Sequence, residues 1–280
     1  MENWVEQAVR LDAAHKLLDH AVLTTDLETY VDLRDGRSVE IDAGTLAHAA
    51  RWGIVPGRSG RRDPADDYMT SDVFRRHAGR RMVLCGFGAD AGDDVLSVVR
   101  AFADGGHAEV MVKARQTKRG LWRVNLAGNP EESLRSAMDW SLVRLEGLKD
   151  SLLVQQLVPM RYEYRLFVVD QQLITGAGAI ERFTPLMNRE RFDPAVQETR
   201  AADTRIEDRP EIVATFCHFG SRVIQEWAVE QPDVRDYVLD VALSDQGPLI
   251  VERNALANAG MYASDPYAVL RAMRNRHDRE

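Results

Sequence analysis

The 280-residue sequence has little cysteine: Cys85 and Cys217 stand far apart and cannot form a disulfide framework. The two suit a reducing compartment and read as buried small apolar residues. No apolar run approaches the ~20 residues of a membrane-spanning helix. The opening stretch MENWVEQAVRLDAAHKLLDHAVL carries charges where an export signal needs an unbroken apolar core. The expectation is a cytoplasmic protein with no membrane segment. Cationic excess is also lacking. The 36 Lys+Arg against 44 Asp+Glu leave a formal charge of −8, which argues against non-specific coating of nucleic acid and leaves only a local basic groove open. There is no internal repeat and no low-complexity tract. Neither GxxxxGK[ST] nor GxGxxG occurs, so the two commonest nucleotide loops are excluded. No Ser/His/Asp or Cys/His set stands out. His218, beside Cys217, reads with it as a helix-face packing residue.

What is present is the composition of a folded chain: 45% hydrophobic and 29% charged residues, in a length suited to about two domains. Residues 3–22 read as an amphipathic helix with Trp4, Val9, Leu11, Leu17 and Leu18 on one stripe. Residues 29–41 alternate around Asp35-Gly36, a dipeptide suited to a hairpin turn, and a short helix is expected over 45–52. Residues 53–69 read as a loop or linker. Its Arg58, Arg61 and Arg62 suit a solvated surface or, alternatively, a phosphate contact. The pattern then mixes: helices over 73–77 and 95–103, strands over 82–85, 108–114 and 121–126. Asn129-Pro130-Glu131-Glu132 starts a helix running to about Leu145, with Asn129 capping free amides and Pro130 where its missing N–H is harmless. Three strands follow in quick succession, LLVQQLV, YRLFVV and LITGAGAI. After them come a helix from Glu211 to about Trp227, the strand pair YVLDVAL and LIVERN, and a last helix from Ser264 or Asp265. Strands in consecutive runs between helices indicate an α+β class with largely antiparallel sheets.

Chemistry concentrates in three segments. In YVLDVALSDQGPLIVERN, Asp240 lies inside one apolar strand, while Glu252 and Asn254 alternate on the next and so share a face. A tight turn over 244–248 sets the strands side by side and gathers three oxygen donors. Carboxylates on apolar strands are costly unless paired or ligated, and an oxygen-only trio suits Mg²⁺ completed by phosphates and water. The plainer alternative is a polar, solvent-facing edge, and it would turn Arg253 into the apolar side. In EVMVKARQTKRGLWRV, Lys113 ends a strand and can offer a point charge to a phosphate, and the following loop can act as a lid; alternatively Lys113 is a surface residue. In LLVQQLVPMRYEYRLFVVD, Gln155 and Gln156 interrupt an apolar strand. Glu163 and Arg165 share a face of the next strand, as an anion fork or as a simple salt bridge. Arg182 is a second candidate to converge there.

These segments, in this order, resemble the ATP-grasp superfamily, nearest in pattern to its glutamate-adding, amino-acid-ligating branch, over roughly residues 82–272. The resemblance implies ATP and Mg²⁺ as cofactors. It implies Lys113 on the α/β-phosphates and the loop of Thr117, Lys118, Arg119 and Gly120 as the lid. Gln155 and Gln156 with the Leu157–Val158 backbone would form the adenine hinge, Gln156 meeting the amino group, and Glu163 would contact the ribose. Arg165 and Arg182 would lie near the acyl phosphate as catalytic cations with Lys113. Asp240, Glu252 and Asn254 would be the metal ligands. The lid carries one Gly and extra cations where the family's is Gly-rich, Gln156 stands where an acid is usual, and the earlier phosphate-binding Lys has no counterpart unless Arg80 or Arg81 replaces it.

The implied architecture is ATP-grasp-like: a small α/β region over 1–80 of open role, a lid subdomain over 81–150 and a larger subdomain with the metal site over 151–280, their sheets gripping ATP. The implied activity is an ATP-dependent carboxylate–amine ligase that forms an acyl phosphate. Its partners would be a small-molecule or peptide carboxylate and an amine acceptor, with no nucleic acid and with homo-oligomers left open. The alternatives are a kinase or nucleotide-binding protein on the same scaffold, and a non-enzymatic interaction module.

Overall fold

The computed structural model describes residues 28–31, 38–41, 68–87, 94–115, 120–138, 152–199, 204–256 and 259–277. The helices expected over 3–22 and 45–52, most of the 53–69 linker, and Thr117, Lys118 and Arg119 of the lid lie outside them. The chain divides into two compact units, one of Asp66–Pro159 and one of Met1–Ala65 with Met160–Glu280. The strands β1 (Glu28–Val31) and β2 (Ser38–Ile41) pair antiparallel as the hairpin pattern predicts.

The Asp66–Pro159 unit opens with a short helix α1 (Asp72–His77), whose Phe74 N–H donates to the Ser71 hydroxyl at 3.1 Å. Its sheet has the order β3 (Met82–Cys85), β6 (Leu152–Gln156), β4 (Glu109–Ala114), β5 (Leu121–Asn125), every pair antiparallel. Alternation decides the faces. Cys85, Val110, Val112, Val124, Leu152 and Val154 enter one core with α2 (Val95–Asp104) and α3 (Pro130–Met138). Asp94 caps α2 through Leu96 N–H, and Asn129 caps α3 by accepting from the N–H groups of Glu131 and Glu132. The unit extends past both ends of the 81–150 span expected from sequence. Strand β6 belongs to it because Leu152–Gln156 pairs between β3 and β4.

The other unit carries an antiparallel sheet of order β12 (Gly247–Asn254), β11 (Tyr237–Ser244), β7 (Arg161–Val169), β8 (Gln172–Gly178). The long helix α4 (Pro210–Glu230) packs on one face, with Phe216 stacked on Tyr164 and Trp227 edge-on to Tyr237. The last helix α5 (Pro266–His277) lies against β7 and β8. A small ribbon of β9 (Ala195–Gln197) and β10 (Ile206–Asp208) is additional to the elements read from sequence; three-residue strands in a polar stretch carry no period. Sheet and helix content is α+β with antiparallel sheets throughout, as expected. Cys85 is buried and Cys217 half-buried, but His218 is exposed on α4, so its reading as a packing residue is corrected: it falls on the solvent side of the amphipathic helix.

Candidate functional site

The hairpin β11–β12 is built by a tight turn in which Gly247 adopts φ +112° and the Ser244 hydroxyl donates to the Gly247 carbonyl. Its register sets Asp240 opposite Glu252 and Val238 opposite Asn254. Period 2 then puts Asp240, Glu252 and Asn254 on the face away from α4. The Asn254 amide donates to Glu252 at 2.9 Å and reaches Asp240 at 3.4 Å. The trio predicted from sequence is therefore one cluster. Asp240 is wholly buried and Glu252 half-buried.

Strand β7 adds a cation to this face, since Arg165 is in register with Asp240. Its Nε and Nη2 donate to the two Asp240 carboxylate oxygens at 2.8 and 2.7 Å, a bidentate fork. The remaining Nη1 donates to the Gly260 carbonyl at 2.8 Å, and the guanidinium lies 4.9 Å from the Tyr262 ring centroid. Burial disfavours this cation, but attraction to Asp240 more than offsets it and holds the guanidinium above its ordinary value. Arg165 shares a face with Glu163, yet its fork goes to Asp240. Gly260 and Tyr262 were not legible as its partners, because a carbonyl and an aromatic face leave no spacing signature. On the opposite face Arg253 is fully buried, 4.7 Å from the Trp227 ring centroid and 5.4 Å from that of Tyr237. It does point into the apolar side, so that consequence, counted above against a polar edge, does not separate the two readings; the complete burial of Asp240 does.

The trio's chemistry fits a hard divalent cation. Its donors are two carboxylates and the amide oxygen of Asn254, whose nitrogen is turned to the carboxylates. Among the described residues no group of three or more His, Cys, Asp or Glu is placed to hold a metal. A carboxylate offers about four lone-pair sites, and the Arg165 fork occupies only part of that capacity.

In the Asp66–Pro159 unit Lys113 falls on the sheet face opposite the α2–α3 core, together with Met111, Leu153 and Gln155. The Gln155 Oε1 accepts from Arg80 Nε at 2.9 Å, and Arg80 also donates to the Ala78 carbonyl. Gln156 shares the other face with Val154, and its Oε1 accepts from the Arg81 backbone N–H at 3.3 Å. Of the two amides, Gln155 is the one on the Lys113 face. The Arg81 guanidinium stacks 4.6 Å from the Phe102 ring centroid. Leu157 is exposed and Val158 half-buried just beyond β6. Gly120 sits where an added Cβ would lie 1.9 Å from the Trp122 ring, so a side chain there would require the indole to shift. In the other unit, the Glu163 carbonyl accepts from Ala179, and Arg182 is exposed beyond β8.

Residues 129–272, just over half the chain, match the family model of an ATP-grasp domain. The chain belongs to the ATP-grasp superfamily. The ATP-grasp match takes in the glutamine pair, Arg165 and the Asp240–Glu252–Asn254 cluster, while Lys113 precedes it. No curated protein matches the sequence. Several solved structures are similar. D-alanine–D-alanine ligase from Bacillus anthracis, complexed with ATP, is 15% identical over 77% of this chain and 68% of that one, with TM-score 0.43. The ATP-grasp ligase PsnB, complexed with a variant of its minimal precursor, Mg and ADP, is 12% identical over 96% and 93%, with TM-score 0.48. The macrocyclase MdnC of Microcystis aeruginosa, bound with precursor peptide MdnA, is 10% identical over 98% and 96%, with TM-score 0.49. Among the described residues no helix is long and apolar enough to cross a membrane.

Proposed function

We propose that this ATP-grasp chain is an ATP-dependent carboxylate–amine ligase working through an acyl phosphate. The observation that carries the reading is the oxygen cluster of Asp240, Glu252 and Asn254 on paired strands within the family match. Those three residues would hold Mg²⁺, which would supply Lewis-acid neutralisation of the triphosphate. Lys113 would add a point charge at the phosphates, and Gln155, with the backbone of Leu157 and Val158, would face the base. Gln156 keeps a supporting role through Arg81, and Glu163 is assigned to the ribose. The substrate carboxylate attacks the γ-phosphorus, the bond to ADP breaks, and the amine then displaces phosphate from the acyl carbon, losing a proton. Arg182, exposed and cationic, suits the acceptor or acyl-phosphate end. Arg165 acts one step back, fixing Asp240.

The test is ADP release from ATP and Mg²⁺ with pooled amino acids and peptides. The ligase reading expects release that requires both a carboxylate and an amine pool. Release without any amine would favour a kinase. No release above a Glu252→Gln control with every pool would overturn the enzyme reading.

A further inference from the structure

Lys113 is held from outside its own strand. Its ammonium donates to the Tyr68 phenol oxygen at 2.9 Å and lies 5.6 Å from that ring's centroid. Tyr68 precedes α1 and is 3% exposed. The phenol is a rigid post: its ring meets Phe74 edge-on, centroids 4.7 Å apart at 89°, and its carbonyl accepts from Ser71 N–H at 3.0 Å. Phe74 is itself tied to the capped first turn of α1 through Ser71. A lysine stem has large rotamer freedom, which a phosphate contact would otherwise have to freeze. The phenol oxygen accepts one of three N–H donors and, being uncharged, does not neutralise the ammonium.

We propose that Tyr68 is a positioning residue that presents the charge of Lys113 to the phosphate oxygens of the bound nucleotide. The inference rests on the ATP reading given above. It goes beyond the family match, which begins after both residues.

Tyr68→Phe tests it, because the ring and its packing on Phe74 stay while the acceptor goes. Two readouts are compared in the full chain. One is the ¹⁵N–¹H₃ resonance of Lys113, assigned by its loss in Lys113→Arg; the other is the calorimetric Kd for Mg·ATP. In Tyr68→Phe the ammonium resonance should broaden through faster solvent exchange, and Kd should rise about fivefold to tenfold, about 1–1.4 kcal/mol. Tyr68→Phe/Lys113→Ala should bind no more weakly than Lys113→Ala alone, since Tyr68 works only through Lys113. Unchanged Kd in Tyr68→Phe, or fully additive losses in the double variant, would overturn the role of Tyr68 while leaving ATP binding intact. Absence of Mg·ATP binding by the wild type would remove the ATP reading and this role with it.

Discussion

At the scale of single residues, the ion pair of Arg165 and Asp240 separates two kinds of substitution. Both partners are buried, so removing one strands the other's charge. Arg165→Met should lower stability by about 3–5 kcal/mol in urea unfolding. Arg165→Met/Asp240→Leu should recover most of that, because the uncompensated charge is gone; a double variant as unstable as the single would contradict this account of the pair. Glu252→Gln is the cleaner probe of function: the side chain is half-buried and its amide oxygen can still accept from Asn254. Unfolding should shift little, within about 0.5 kcal/mol, while turnover falls. At Cys217, burial pushes the thiol up to about 11, so in the native state it should react slowly with iodoacetamide at pH 8 and quickly once unfolded. Rapid native-state alkylation would remove the packing role. Which residues form the cluster was legible from period-2 spacing together with the tight turn over 244–248. What each side chain grips was not: nothing local to Arg165 distinguishes a Glu163 partner from one 75 residues on.

At the scale of elements, the long strands and helices were readable because each carries a full period: the alternation of Glu109–Ala114, the capped start of α3, the apolar stripe of α4. The β9–β10 ribbon was not, since it is fixed by tertiary contact. Gly178 at the end of β8 is part of that contact, because an added Cβ would lie 2.4 Å from the Ala195 carbonyl oxygen of β9. Gly178→Ala must separate backbone from backbone and should lower stability by about 1–3 kcal/mol. A thermal unfolding scan indistinguishable from wild type would show that β9 is free to move aside. The face assignment of β6 yields a second comparison. Gln155→Ala should weaken Mg·ATP binding more than Gln156→Ala, because Gln155 shares the Lys113 face. The reverse order of affinities would return the base contact to Gln156.

At the scale of the whole molecule, the α+β class followed from the runs of strands between helices, and the family from the order of three segments along the chain. The unit boundaries did not. A strand that closes a sheet by pairing between two earlier strands, as Leu152–Gln156 does, is assigned to its unit by register, which a linear reading does not contain. The account depends most on the acidic cluster of β11 and β12 serving a metal-bound triphosphate. Calorimetric titration of Mg·ATP into wild type and into Glu252→Gln measures this directly. Measurable binding by the wild type, weakened at least about tenfold in the variant (about 1.4 kcal/mol) and abolished in both by EDTA, is the predicted result. Equal affinities for the two proteins, or wild-type binding undiminished by EDTA, would contradict it.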